Sequence, residues 1–296
     1  MKKKLVILAA ICSMAVAVHA KTLRVSNVDP SASYATITAA VNAAVDGDTI
    51  MVEGTSKDYD ETTLDKKVVL VGPGYWLREN GIGTEAAQSA NIQSIITTQE
   101  GTAIMGVHVW GNIQVDGSKT VIARCCIDGG ISIKKDVTNC IIRQNFIKGD
   151  VGSGYDHSFY HQITNNIFGN VACKGVNESY IAYNTSYAWW GESLWNSYNC
   201  KVEKNIVFTN EFTNNTDNSY TDNYVIGEYY KDINTDKDVL NTELPADATS
   251  YGAFTGNDPY VISGIPTGPM IEELIVPASA EEGSIMEVTI KLGKAK

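Results

Sequence analysis

The chain repeats itself with a period of about twenty residues. A unit this short cannot bury an apolar face alone, so neighbouring copies must stack into a solenoid. Two looser copies, from Glu192 and Asn210, follow four clear ones. The clear copies run consecutively from Gly111: GNIQVDGSKTVIARCCID, GGISIKKDVTNCIIRQNFIK, GDVGSGYDHSFYHQITNNIF and GNVACKGVNESYIAYNTSY.

Aligned copies share three columns of residues. One apolar column is Ile122, Ile142, Ile163, Ile181, Val202 and Tyr220. The other apolar column is Ile127, Ile147, Phe168, Ser186, Val207 and Val225. Between them lie Cys125, Asn145, Asn166, Asn184, Asn205 and Asn223. We expect each asparagine to sit in a tight bend with left-handed backbone, its amide bonded to the asparagine of the next turn.

This pattern favours stacked parallel strands over other repeat folds. The copies alternate with a period of two and are rich in Ile, Val, Tyr and Asn, which is typical of strands spaced ~4.8 Å apart. Leucine-rich repeats need a dense leucine pattern, and propeller blades need a period near forty. The sequence therefore predicts an all-β parallel β-helix, a solenoid.

The segment YATITAAVNAAVDGDTIMVEGTSKDYDETTLDKKVVLVGPG precedes the repeats. Its spacing predicts a short helix, a stop at Gly47 and a strand from Ile50. The apolar face of that helix is Ile37, Ala40, Val41 and Ala44. The segment resembles the entry of pectin-lyase-like β-helix proteins, and the resemblance extends from Tyr34 to Gly227. It implies a right-handed helix whose open end is capped by the short α-helix, and it implies no particular activity.

Three parts of the chain are expected. Residues 1–20 read as a signal peptide, with three lysines before an apolar stretch and Val18-His19-Ala20 before the cut. Residues 21–265 form the solenoid with its cap and an irregular closing segment. Residues 266–296 form a short β-hairpin tail around Glu282-Gly283, which packs on the solenoid or joins chains in an oligomer. No transmembrane segment is expected in the mature chain, which is exported to the periplasm, the cell surface or the medium.

Charge and cysteines narrow the partners. The whole chain has 23 basic and 34 acidic side chains, and removing three signal-peptide lysines leaves a net charge of about −14. Such a field repels nucleic acid, so neutral glycans and proteins are the partner classes left open. Five cysteines remain after the signal peptide, without the close spacing of a zinc site, and those within the repeats read as small buried apolar residues.

Recognisable polysaccharide-cleaving motifs are missing. The sequence contains neither adjacent aspartates nor the Gly-His-Gly turn that polygalacturonase-like enzymes use. Arg124 and Arg143 lie one column apart on neighbouring turns, so we expect them to point in different directions as solvated residues. These absences favour a role without catalysis.

A concentration of unusual residues in the third to fifth copies indicates a binding face. The aromatic candidates are Tyr155, Tyr160, Tyr187, Trp189, Trp190 and Trp195. Such rings stack on sugar C–H faces, which predicts carbohydrate binding; a surface structural role is the other reading. The competing hypothesis is a polysaccharide lyase or glycoside hydrolase, with Asp156, His157 and His161 as acid–base candidates.

One acidic loop has the oxygen spacing of a calcium site. Its candidate ligands are Asp232, Asn234, Asp236, Asp238 and Glu243. Lys237 stands where the sharp turn of such a loop needs glycine. We therefore expect a solvated acidic loop, with calcium as the alternative, and no other cofactor.

Overall fold

The protein is a parallel β-solenoid of about eight turns. The computed structural model describes residues 20–82, 87–169, 173–186, 194–207, 216–225, 233–234, 239–240, 249–266, 269–275 and 289–294. Three parallel sheets, here named A, B and C, run along the solenoid, and the predicted all-β solenoid is confirmed.

Each turn contributes one short strand to each sheet in the regular part of the solenoid. Sheet A contains Thr22–Val25, Thr49–Val52, Val69–Val71, Ala103–Met105, Val121–Ala123, Ile141–Arg143, Gln162–Thr164, Tyr180–Ala182, Lys201–Glu203 and Ser219–Thr221. Sheet B contains Asn91–Ile92, His108–Val109, Cys126–Ile127, Phe146–Ile147, Ile167–Phe168, Thr185–Ser186, Ile206–Val207 and Tyr224–Val225. Sheet C contains Thr62–Leu64, Ile95–Thr97, Ile113–Val115, Ile131–Ile133, Val151–Gly152, Cys173–Lys174 and Leu194–Trp195. Ser158–Phe159 and Val176–Asn177 form a fourth, two-stranded parallel sheet.

The strand register confirms both predicted apolar columns. Ile142 pairs with Ile122 on one side and with Ile163 on the other, and the column continues through Ile181, Val202 and Tyr220. Ile147 likewise pairs with Ile127 and Phe168. The isoleucines of both columns are buried in one continuous core, because a side-chain period of two sends every second residue inward.

The predicted asparagine column is a hydrogen-bonded ladder. The side-chain oxygen of Asn166 accepts both the backbone N–H of Asn145, at 3.0 Å, and its side-chain amide, at 2.9 Å. The side-chain amide of Asn166 donates in turn to Asn184 at 3.0 Å and to the carbonyl of Ile142 at 2.9 Å. The same arrangement links Asn184 to Asn205 and Asn205 to Asn223. These buried amides are therefore satisfied by each other and by the backbone.

The prediction that the asparagines themselves adopt left-handed backbone is wrong. The residue before each asparagine does so instead, with φ near +56° at Gln144, Asn165 and Tyr183. The left-handed residue turns the chain and points outward. The following asparagine can then keep its amide inside the bend, where its partners are.

The chain enters the solenoid through a helix, Ile37–Ala43. Thr36 caps it, since its hydroxyl accepts the N–H of Ala39 at 3.1 Å. The predicted apolar face, Ile37, Ala40, Val41 and Ala44, is buried against the first strands. The predicted stop at Gly47 is wrong, because the helix ends at Ala43 and Ala44 is already extended. Gly47, with φ +95°, instead serves the turn that leads to Thr49–Val52.

After the last described turn of the solenoid, the chain passes back along the outside of its bends. We call residues 249–266 the return segment. It is hydrogen-bonded to five successive turns. Arg124, Gln144 and Asn165 donate to it: the guanidinium of Arg124 reaches the carbonyl of Ile265 at 2.7 Å, and the amide of Asn165 reaches that of Ala253 at 3.0 Å. On the next two turns Thr185 and Lys204 accept backbone N–H groups of the segment. A 3-10 helix, Ile262–Gly264, lies near its end. The expectation that Arg124 and Arg143 are solvated and point apart is wrong, because Arg143 pairs with Asp258 in the same segment.

The return segment covers the outer face of sheet B. Cys126, Phe146 and Ile167 point outward there and form a second apolar cluster with Ala253 and Tyr260. This cluster explains why residues opposite the main core are also apolar. Burial of their side chains on folding contributes to stability in proportion to the apolar area removed from water.

The five cysteines after the signal region are all buried and none forms a disulfide. Burial raises the pKa of Cys125 to about 12 and that of Cys140 to about 11. The thiols of Cys125 and Cys140 therefore stay protonated, as expected of small apolar core residues.

Two antiparallel hairpins follow the solenoid turns. Ile233–Asn234 pairs with Val239–Leu240, and Pro269–Ile275 pairs with Thr289–Lys294. In the second pair Ile271 is the register partner of Leu292, and Leu274 is that of Ile290. The predicted turn at Glu282-Gly283 lies outside the described residues. Met286 and Val288 lie outside the described residues.

Candidate functional site

A cleft of about 470 Å³ lies on the outer face of sheet C, and we call it the sheet C cleft. Its floor is glycine-rich: Gly129, Gly130, Gly149, Gly152 and Gly154. A methyl group on Gly149 would lie 2.7 Å from the carbonyl oxygen of Gly129, and one on Gly130 would lie 2.5 Å from that of Asp150. Because adjacent turns approach this closely, no side chain fits, and an open trough results.

One ion pair supplies the charge of the cleft. Lys174 Nζ lies 2.6 Å from Asp150 Oδ2, and both side chains remain about one-third exposed. The other carboxylate oxygen, Oδ1, is buried and has no hydrogen-bond partner within the described part of the chain. Ser132 and Asn112 add polar groups. The cleft thus combines nearly cancelling charges with neutral polar side chains.

Two predicted aromatic residues stand beside the cleft. Trp195 follows Lys174 in the outward column of sheet C, and Tyr155 directly follows Gly154 of the floor. Their ring centroids are 5.0 Å apart with the planes at 85°, an edge-to-face contact. Tyr155 is 86% exposed, so a broad ring surface is open to a ligand.

The other described candidates lie elsewhere around the same turns. Asp156 is exposed, and His157 contacts the ring of Tyr198 at 5.6 Å. The Nδ1 atom of His157 is buried without a hydrogen-bond partner among the described residues. Tyr160 is half-exposed at the bend that follows, on left-handed backbone. Tyr187, Trp189 and Trp190 lie outside the described residues.

His161 lies in the interior, where it completes a turn. Its ring Nδ1 accepts the backbone N–H of Cys140 at 3.1 Å, while the backbone N–H of His161 donates to the hydroxyl of Ser179. Asn218 performs the same task for Cys200, at 2.7 Å. Burial lowers the pKa of His161 to about 4, so the ring is neutral at physiological pH.

The calcium prediction falls almost wholly outside the described residues. Asp232, Asp236, Asp238 and Glu243 are not described. Asn234 is placed only by its backbone, in the short strand paired with Val239–Leu240.

A second cavity, also of about 470 Å³, was not predicted. It is lined by Trp76, Arg78, His108 and Trp110, and Trp110 is 52% exposed. The indole of Trp110 stacks on the imidazole of His108 at 5.0 Å, with 27° between the planes. Extending the repeat alignment one turn backward would have found these residues, because His108-Val109-Trp110 aligns with Cys126-Ile127-Asp128.

Comparisons with known proteins add no family. No family model matches the sequence, and no curated protein matches it. Among the residues described, no helix is long and apolar enough to cross a membrane.

Proposed function

We propose that the chain is an exported, right-handed β-helix of the pectin-lyase-like kind that binds a neutral carbohydrate in the sheet C cleft without cleaving it. The right hand follows the strong preference of parallel β-crossover connections. The observation that carries the proposal is the contact between exposed Tyr155 and half-buried Trp195 beside a cleft with a glycine-rich floor. Export rests on the lysine-rich, apolar start of the sequence.

The chemistry of the cleft suits a sugar. A pyranose presents C–H groups on its faces and hydroxyls around its rim, so it needs a flat ring and polar groups at once. Tyr155 and Trp195 offer the rings, and Ser132, Asn112 and the partly exposed Asp150–Lys174 pair offer hydrogen bonds to the hydroxyls. Because Lys174 offsets the charge of Asp150, the cleft itself favours a neutral ligand over an anionic one.

Glycan-array screening of the mature chain, followed by calorimetric titration, tests this proposal. Tyr155→Ala and Trp195→Ala should each weaken binding about tenfold, since a lost ring contact costs about 1 kcal/mol. Trp110→Ala is the matched control, because it removes an exposed indole from the other cavity. Absence of any glycan ligand, or equal losses in all three variants, would contradict the proposal.

Export has its own measurement. Intact mass of the protein recovered from the expressing cell should correspond to a chain that begins at Lys21. A full-length mass from the envelope fraction would contradict cleavage at that site.

A lyase or hydrolase is the second candidate, because the buried Nδ1 of His157 has no hydrogen-bond partner among the residues that the structure describes, and exposed Asp156 adjoins it in sequence. Enzymes of these classes need a positioned acid–base pair. A panel of plant and host glycans should then show product release that Asp156→Asn abolishes. No turnover across the panel would remove this candidate and leave the binding proposal intact.

A further inference from the structure

Three metal-ligand side chains converge on the outer face of sheet B. His108 and Cys126 are register partners on adjacent turns, and Asp128 follows Cys126 by two residues on the same face. One ligand atom from each side chain lies within 4.8 Å of the other two. The cluster belongs to neither the sheet C cleft nor the acidic loop.

We propose that His108, Cys126 and Asp128 bind one divalent transition-metal ion, with zinc as the ion that fits best. Zinc takes imidazole nitrogen, thiolate sulfur and carboxylate oxygen, and three protein ligands leave a fourth position for water. Calcium and magnesium are disfavoured, because they require oxygen ligands.

The geometry matches a tetrahedral ion. His108 Nε2 lies 3.2 Å from Asp128 Oδ2. Two ligands about 2.0–2.1 Å from a tetrahedral zinc ion are themselves about 3.3 Å apart. The metal would therefore replace the proton shared by this pair, with little movement of either side chain.

The surroundings hold the ligands in place. Trp110 stacks on the imidazole of His108, and Trp76 contacts it edge-on at 6.4 Å, so the ring orientation is fixed. Lys148 Nζ lies 2.8 Å from Asp128 Oδ1, which occupies one carboxylate oxygen and leaves Oδ2 for the ion. Cys126 is fully buried, whereas His108 borders the second cavity, and solvent reaches the ion from that side.

Ion binding moves protons on two of the three ligands. Asp128 coordinates as a carboxylate through Oδ2, since Lys148 occupies Oδ1. The proton that bridges His108 Nε2 and Asp128 Oδ2 moves to Nδ1 of the same ring, so the imidazole offers its Nε2 lone pair and this step releases no proton. The Cys126 thiol loses its proton to solvent, so one proton is released for each ion bound.

The test uses the full mature chain, reduced and stripped of metal with a chelator, then titrated with Co²⁺. One equivalent should produce a thiolate-to-cobalt charge-transfer band, which added Zn²⁺ removes. Calorimetry in buffers of different ionisation enthalpy should show about one proton released. Absence of the band at stoichiometric cobalt would overturn the proposal.

Matched variants locate the ion. Cys126→Ser should abolish the band, while Asp128→Asn should weaken binding at least about tenfold, as expected for a lost ligand. Cys200→Ser is the control, because that buried thiol bonds to the backbone carbonyls of Val176 on the neighbouring turn and of Tyr198 two residues earlier, and a hydroxyl can make the same contacts. A band that survives in Cys126→Ser, or disappears in Cys200→Ser, would overturn the assignment. Circular dichroism shows whether each variant is folded. If Cys126→Ser does not fold, the cobalt affinity of Asp128→Asn, a substitution at the partly exposed edge of the site, tests the assignment instead.

Discussion

The bends between sheets A and B and the connections around sheet C belong to the same turns of chain but differ in regularity. Two residues join sheet A to sheet B in each of the six turns from Ala123 to Tyr224, of which Gln144-Asn145 is one. From sheet C to sheet A the connection has seven residues at 134–140, nine at 153–161 and five at 175–179. The bends between sheets A and B carry the asparagine ladder and are covered by the return segment, whereas the connections from sheet C to sheet A are not covered by it.

This difference separates scaffold from surface. A two-residue bend with a fixed hydrogen-bond pattern tolerates no insertion, so its chemistry repeats. Longer connections tolerate changes in length and carry the exposed aromatic residues beside a cleft, as functional loops on rigid scaffolds usually do. Substitutions in the bends between sheets A and B should therefore lower stability, whereas substitutions beside the cleft should weaken binding and leave stability nearly unchanged.

The largest effect is expected at the ladder. Asn166→Ala should lower the free energy of unfolding by about 4 kcal/mol, since it leaves several buried polar groups of Asn145, Asn184 and Ile142 short of a partner. Urea denaturation measures the loss. Asn42→Ala, at an exposed helix position, is the control and should change stability by less than about 0.5 kcal/mol. A loss below about 1 kcal/mol for Asn166→Ala would break the comparison.

The second effect is a pH dependence from His161. Its folded-state pKa is lowered to about 4 from 6.5, so the unfolded chain binds more protons between these values and stability is lost as pH falls through this range. The wild type should lose about 3 kcal/mol more than His161→Asn between pH 7 and pH 4. Asn is chosen because Asn218, three turns further on in the same column, makes the same contact to the backbone N–H of Cys200. If the free energy of unfolding had the same pH dependence in both proteins, the protonation of His161 would not be linked to folding.

The return segment should have a smaller effect. Asp258→Ala removes acceptors for Arg143 and Gln144, and because the pair is partly exposed the loss should be about 1 kcal/mol. Hydrogen exchange should accelerate in residues 251–260 while the ladder stays protected. Glu100→Ala, which breaks an exposed pair with Lys119, is the control and should leave exchange unchanged. Equal exchange in both variants would show that Asp258 does not fasten the segment.

The smallest stability effect is expected beside the cleft. Tyr155→Ala should change the free energy of unfolding by less than about 0.5 kcal/mol, because the side chain is 86% exposed. The same variant should weaken glycan binding about tenfold, which sharpens the contrast with Asn166. A stability loss above about 1 kcal/mol would assign the ring to packing instead.

The sequence predicted the regular side of the molecule well, and the reason is physical. A repeated asparagine between two apolar columns has one stacked solution, so Asn145, Asn166 and Asn184 could be placed without coordinates. The return segment could not, because Asp258 and Ile265 contact Arg143 and Arg124 through non-repeating side-chain geometry. Tyr155 and Trp195 were predicted as binding residues, but the contact between their rings depends on the lengths of the connections, which the repeat pattern does not determine. His108 was missed because its turn bends through Gly106-Val107, without an asparagine to reveal the period.

The amide ladder has a consequence for how the chain finds its alignment. Each asparagine presents the same donors and acceptor to the one above and the one below, so a slip by one whole turn would recreate nearly every amide contact. The ladder thus favours the stacking of turns but does not determine which turn stacks on which. Contacts that occur only once along the solenoid, such as those of Asn165 with Ala253 and of Arg124 with Ile265, distinguish the correct alignment from a shifted one.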